Sequence, residues 1–227
     1  MSTRIHVIAI GALAVAFGGG LEERAEAGRG QRVVVGVLTD EEHRVTPEME
    51  RESREKAGSP APAFRAVDQD GEPVDSEAMV GDRPVLLVFI KDGCPCSTSA
   101  EPFYARLHDS YGDAARFFGV IDGDRSVAAR WVSDHGTPYP VLADPELEIV
   151  RAFGVSNSAY VALISPGGTI EALWPGYSEG ILRDISARLA GLTGRPEAEV
   201  GASEAPELPY SGCPFEFDPP EPADPPS

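Results

Sequence analysis

The chain has 227 residues, and 19 Lys and Arg against 37 Asp and Glu leave a formal net charge of −18. That length suits one medium domain with extensions, while so acidic a balance is at odds with the basic face that nucleic acid or an anionic membrane surface requires. The three cysteines, Cys94, Cys96 and Cys213, are too few for a disulfide scaffold, and their odd number leaves at least one thiol unpaired or exchanging.

Residues 1–27 have the parts of a secretory signal. A short basic start is followed by the apolar run Val7–Phe17 and by Ala25-Glu-Ala27, an Ala-x-Ala cleavage site. The apolar run is too short to span a bilayer. Glu22, Glu23, Arg24 and Glu26 make the region before the cleavage site unusually charged. The pattern predicts export to an extracytoplasmic, periplasmic-type compartment; the alternative is a cytoplasmic chain that keeps its start. Residues 28–57 read as a linker or extension. Within it, Val33–Leu38 could form a short strand, and Asp40–Lys56 is a charged stretch suited to a solvated helix or a linker.

From Gly58 the pattern sharpens. Ala63–Val67 and Glu72–Val74 flank the turn signal Asp68-Gln-Asp-Gly71 and predict a small hairpin. Pro84–Ile90 is continuously apolar, as in a strand buried on both faces. Helices are predicted over Ser97–Tyr111, Ser126–His135, Pro145–Phe153 and Ile181–Leu192 from apolar residues at helical spacing. Strands are predicted over Ala115–Ile121 and Tyr139–Leu142. Tyr160–Ile164 and Thr169–Trp174 form a hairpin around Pro166-Gly-Gly168. The alternation predicts an α/β domain over 58–193, with a central mixed sheet flanked by helices. Residues 194–227 are acidic and rich in proline; 195–227 hold nine prolines, eight acids and one arginine. Such a segment reads as a disordered tail.

The chemistry centres on Cys94-Pro95-Cys96. Cys94 follows the buried strand, and Pro95 suits the first position of a helix. A thiol at a helix N-terminus meets unpaired N–H groups and the positive end of the macrodipole, which favours the thiolate. Cys96 is two residues away, so a Cys94–Cys96 disulfide would close a small, strained ring. Cys213, carried on a tail with Tyr210 and Phe215 as docking anchors, is the other candidate to resolve an oxidised Cys94. Three soft thiolates could instead hold Cu(I) or Zn(II), but no histidine lies at ligand spacing, so neither a metal nor a cofactor is expected. Lys91 could favour the Cys94 thiolate and Asp92 oppose it. Glu101 reads as a solvated helix glutamate, with proton acceptor as the less common reading, and Trp131 and Trp174 as packing.

Gly58-Ser-Pro-Ala-Pro-Ala-Phe64, Asp70-Gly71 and PVLLVFI leading into Gly93-Cys-Pro95 resemble the opening of a redoxin domain, in the peroxiredoxin (alkyl hydroperoxide reductase/thiol-specific antioxidant) and thioredoxin-like superfamily. Pro102, eight residues after Cys94, Tyr139-Pro-Val-Leu-Ala-Asp144 and Phe153-Gly-Val155 extend the resemblance over about residues 58–193. The resemblance implies a thioredoxin-like fold with disordered N- and C-terminal extensions. It also implies a thiol-dependent oxidoreductase with antioxidant activity in which Cys94 attacks a peroxide or a disulfide. Cys96 or Cys213 would resolve the product, and an external thiol or thioredoxin-type reductant would restore the enzyme. Departures are visible: Lys91 and Leu87 stand where peroxiredoxins place Thr and Pro, Ser158-Ala159 offers no counterpart to their arginine, and Ala159 stands where thioredoxins keep a cis-proline. These favour protein disulfide exchange without peroxidase activity as the alternative enzyme. The non-enzymatic alternative is a redoxin fold reused as a binding or copper-carrier module.

Overall fold

The computed structural model describes residues 43–217. In chain order these form α1 (Pro47–Lys56), β1 (Arg65–Val67), β2 (Pro73–Asp75), the single turn α2 (Ser76–Met79), β3 (Val85–Ile90), α3 (Pro95–Tyr111), β4 (Arg116–Ile121), α4 (Arg125–His135), β5 (Val141–Ala143), α5 (Glu148–Phe153), β6 (Val161–Ile164), β7 (Ile170–Trp174), α6 (Glu179–Thr193) and a 3-10 turn at Ala202–Glu204. The secretory signal expected over 1–27 and the strand expected at Val33–Leu38 lie outside the described residues.

All six side chains of β3 are buried. Successive strand residues point to opposite faces. Leu86, Val88 and Ile90 therefore enter one apolar cluster with Tyr104, Leu107, Leu182 and Ile185, while Val85, Leu87 and Phe89 enter a second with Val150 and Phe153. A strand with no polar face reads as an unbroken apolar run, which is why this element was the plainest in the sequence. It pairs in parallel with β4 and antiparallel with β6, at the centre of a sheet ordered β5-β4-β3-β6-β7. The small β1–β2 hairpin is a separate antiparallel pair.

Several boundaries differ from expectation, and two of the differences have a plain cause. β5 begins at Val141, because Tyr139 turns its hydroxyl to Glu101 and the Pro140 carbonyl accepts from Gly119 N–H at 2.9 Å. α5 begins at Glu148, not Pro145. Leu147 takes a left-handed conformation (φ 56°), and the buried Asp144 carboxylate accepts from Ile149 N at 3.2 Å and Val150 N at 3.0 Å. Asp144 thus supplies the missing partners of the first helical turn from outside the helix.

The larger correction concerns residues 195–217, expected to be part of an unstructured tail. They take a fixed path. The Tyr111 hydroxyl accepts from Ala198 N at 2.9 Å, and Arg106 donates to the Val200 carbonyl at 3.1 Å. Pro209–Ser211 then runs between two backbone segments. Tyr210 and Tyr177 exchange hydrogen bonds of 2.9 and 3.0 Å, while Val45 N donates to Pro209 O at 3.1 Å and Ser211 N to His43 O at 2.8 Å. Tyr210 packs in the first cluster and Phe215 in the second, so this strap crosses the end of the sheet with one aromatic on either side. Average composition concealed it, because a few buried aromatics and a backbone ladder suffice to order an otherwise acidic chain. Residues 218–227 lie outside the described residues.

Candidate functional site

The site is built at the carboxyl end of β3. Gly93, with φ 72°, closes a turn in which Cys94 N donates to Lys91 O at 3.1 Å. Cys94 is then the N-cap of α3, with extended φ and ψ of −79° and 120°, and Pro95 occupies the first turn. No side chain caps this helix end. The positive end of the helix is therefore available to the sulfur.

The Cys94 sulfur is 2% exposed as a residue, yet it is surrounded by donors. Ser158 Oγ donates to it at 3.2 Å, and the backbone N–H of Cys213 donates at 3.2 Å across a sequence separation of 119 residues. The Cys96 thiol, two residues on, is close enough to act on it as well. These contacts hold the Cys94 thiol far below its ordinary range: the Cys96 thiol contributes most, burial opposes it, and Ser158 and Cys213 add to the lowering. Cys96 is pushed the other way, because it gives its proton to the hydrogen bond with Cys94, is buried, and sits beside negative charge. Cys213 is also raised, by burial first and then by its contact with Cys94, with Lys91 opposing. One thiolate with two protonated neighbours results.

All three cysteines singled out in the sequence thus meet at one point. None is in a disulfide, and Cys213 is the most exposed of them. The strap that carries Cys213 is held to the loop before β6 by a short ladder. Ser158 N donates to Cys213 O at 3.0 Å, Gly212 N to Ser158 O at 2.8 Å, Phe215 N to Ser156 O at 2.9 Å, and Asn157 Nδ2 to Gly212 O at 2.9 Å. Cys213 is a built part of the site, where a thiol on a wandering tether was expected.

Ser158 is the site residue that the sequence did not reveal. A lone serine before a strand carries no local signal, and it becomes a donor only when the β3 and β6 ends are brought together. Its orientation is set by Ala159, which takes φ 61° and donates to Phe89 O at 2.7 Å. Every peptide bond among the described residues is trans.

The charged neighbours are largely engaged with one another. Lys91 Nζ lies 3.3 Å from Asp122 and 3.8 Å from Glu216, and Asp92 is paired with Arg130 at 2.7 Å. Glu101 is not the solvated residue expected. It is buried, accepting from Thr137 Oγ1 and the Tyr139 hydroxyl at 2.7 Å each, and burial raises its carboxyl to about 7 against these two bonds. Trp131 and Trp174 are buried, as expected of packing residues. Among the described residues, no group of three or more His, Cys, Asp or Glu is arranged to hold a metal ion, and no helix is long and apolar enough to cross a membrane. A cleft of about 430 Å³ opens beside the start of α3, lined by Gly93, Pro95, Thr98, Arg130, Trp131 and His135.

A thiolate flanked by a second thiol on a separate segment is suited to thiol–disulfide exchange. The AhpC/TSA family model matches residues 57–175. No curated protein matches the chain in sequence. Among solved structures, an uncharacterized conserved protein from Geobacillus kaustophilus is similar with a TM-score of 0.58 and 22% identity, covering 72% of this chain and 93% of its own. Peroxidoxin BcpB from Mycobacterium tuberculosis is similar with a TM-score of 0.54 and 20% identity, over 61% of this chain and 97% of its own. A secreted M. tuberculosis disulfide oxidoreductase homologous to E. coli DsbE is similar with a TM-score of 0.50 and 21% identity, over 57% and 96%. These likenesses establish the thioredoxin-like fold.

Proposed function

From the premise that this chain belongs to the AhpC/TSA family, we propose that it is a thiol-dependent oxidoreductase in which Cys94 attacks and Cys213 resolves. The observation that carries this reading is the Cys213 N–H at 3.2 Å from the Cys94 sulfur, which brings a second thiol to the attacking one. With a disulfide substrate, the Cys94 thiolate bonds one sulfur and expels the other as a thiolate. Cys213 then loses its proton, attacks the Cys94 sulfur and releases the substrate's remaining thiolate. The substrate is reduced by two electrons and the protein is left with a Cys94–Cys213 disulfide. With a peroxide, Cys94 becomes a sulfenic acid as the O–O bond breaks and an alcohol or water leaves, and Cys213 condenses with it to release water. An external dithiol reductant closes either cycle. Cys96 acts as the proton-bearing donor to the thiolate, and a Cys94–Cys96 ring carries the strain of its small size.

The donors around Cys94 point at its sulfur, and among the described residues none of them is an arginine. This favours disulfide exchange over peroxide reduction as the principal activity. The peroxide reading rests on family membership. Export, which would put this chemistry in a disulfide-permissive compartment, remains part of the proposal because of the residue 1–27 pattern.

Peptide mapping after one equivalent of oxidised glutathione, and separately of hydrogen peroxide, tests the reading. A Cys94–Cys213 linkage with glutathione as the faster oxidant is expected. Recovery of only a Cys94–Cys96 loop, with Cys213 still open to alkylation, would overturn the assignment of Cys213.

A further inference from the structure

The strap that carries Cys213 is more firmly held than a thiol carrier needs to be. Its backbone is paired on one side with Tyr177, on the other with His43–Val45, and further along with Ser156–Ser158. Close approach is built into the sequence at both ends. A Cβ at Gly176 would meet the Tyr210 carbonyl carbon at 2.6 Å, and one at Gly212 would meet the Ser158 carbonyl carbon at 2.9 Å. The consequence of this clamping falls on the group between the two anchored aromatics: the N–H of Cys213, whose acceptor is the Cys94 sulfur at 3.2 Å.

We propose that the backbone N–H of Cys213 is a fixed donor that keeps the Cys94 sulfur anionic, so that the C-terminal strap completes the nucleophile's binding cage in addition to supplying a second thiol. The physical basis is the one by which backbone donors stabilise anions in enzyme sites: a donor locked in place before charge develops needs no reorganisation. A backbone N–H also cannot titrate, so it serves the thiolate at any pH. It donates from the strap and Ser158 from the loop before β6, which places donors from two separate segments on one sulfur, beside the Cys96 thiol in the first turn of α3. The titratable and charged groups that act on this cluster are Cys96 on α3, Cys213 on the strap, Tyr177 after β7, and Lys91 before Cys94, whose charge acts on Cys213. Strap docking and Cys94 ionisation are then linked: whatever lifts the strap disfavours the thiolate, and protonation of Cys94 loosens the strap.

The inference rests on the reading of Cys94 as the attacking thiol, and the test separates the two. Cys213→Ala keeps the N–H and removes the thiol, whereas Cys213→Pro removes both. Cys94 ionisation is followed in each by thiolate absorbance and by the pH dependence of iodoacetamide alkylation. A hydrogen bond to a charged group is worth about 1.5–3 kcal/mol, so Cys213→Pro should raise the Cys94 midpoint by about one to two pH units above Cys213→Ala. Equal midpoints would overturn the proposal. A wild-type Cys94 that titrates like an ordinary thiol would overturn the reading beneath it. Should Cys213→Pro fail to fold, the amide proton at position 213 in Cys213→Ala decides. Its NMR shift should follow the Cys94 titration and be flat in the Cys94→Ser, Cys213→Ala double variant, and a shift independent of Cys94 would overturn the proposal.

Discussion

Gly212 packs its α-carbon directly onto Ser158, leaving no space for a side chain between the strap and the loop before β6. Gly212 N also donates to Ser158 O at 2.8 Å, so the contact is at once a hydrogen bond and a steric limit. Gly212→Ala must push the strap off Ser158. Overpacking at so close a contact costs about 1–3 kcal/mol. Urea unfolding should show that loss, and Cys213 should become alkylated several-fold faster. Unchanged stability together with an unchanged alkylation rate would show that the strap is not clamped here.

Ser158→Ala removes a donor from the Cys94 sulfur without changing the fold. The Cys94 midpoint should rise by about one pH unit, since a bond to a charged group is worth at least about 1.5 kcal/mol. The sign extends to redox potential. A less stabilised thiolate makes the reduced form less favourable, so the Cys94–Cys213 couple should become more reducing by about 30 mV. Redox titration against glutathione checks it, and a shift in the opposite direction would contradict the assigned role of Ser158.

Cys94 also makes the reduced protein's stability pH-dependent. Its folded-state pKa is depressed below the ordinary 9.0. The stabilisation is therefore complete above that ordinary value and is lost progressively as pH falls toward the folded-state value. Cys94→Ser should flatten this slope in the reduced protein. Chemical unfolding from pH 5 to 9 under reductant would show it, and parallel slopes in the two proteins would count against a stabilised thiolate.

Glu101 works in the reverse sense. Its carboxyl is raised from 4.5 to about 7 by burial. Stability is full below about 4.5 and is lost as pH rises toward 7, because the charge is then forced into a buried site. Glu101→Gln keeps a group able to bond Thr137 and Tyr139 but carries no charge. Its stability relative to wild type should therefore increase from pH 4 to pH 8 by something on the order of 3 kcal/mol. A constant difference across that range would mean that Glu101 titrates normally.

Ala159 holds φ 61°, a conformation that L-residues adopt at a cost of about 1–2 kcal/mol. Ala159→Gly should be neutral to stabilising by up to about 1 kcal/mol, after the extra freedom of glycine in the unfolded chain is counted. Ala159→Val should destabilise by more than that, since a branched side chain tolerates this region poorly. Thermal unfolding of the pair checks the order, and a Val variant as stable as wild type would remove the strain from the account.

Much of the site was legible because its chemistry is local. Cys94 follows a strand that reads as apolar throughout, and Pro95 marks the helix start, so a thiol at a strand-to-helix junction could be placed from spacing alone. Boundaries were less legible where burial gave a polar side chain a backbone role. Asp144 and Leu147 delayed α5 because a buried carboxylate, set by the fold, supplied the cap. Glu101 was misread for a similar reason: its helix position says nothing of the Thr137 and Tyr139 hydroxyls waiting across the interface.

The sequence by itself determined the α/β layering, the place of Cys94 at a strand-to-helix junction and the family resemblance, because these follow from periodicity, helix-start chemistry and short motifs, all encoded within a few residues. Only the tertiary structure decided what surrounds the sulfur. Ser158 and the Cys213 N–H lie 64 and 119 residues from Cys94, and both contacts depend on chain crossings that no local pattern specifies. The strap was concealed for the same physical reason. Composition averages over a segment, whereas ordering rests on a few anchors, here Tyr210, Phe215 and a backbone ladder whose partners are supplied by the folded domain.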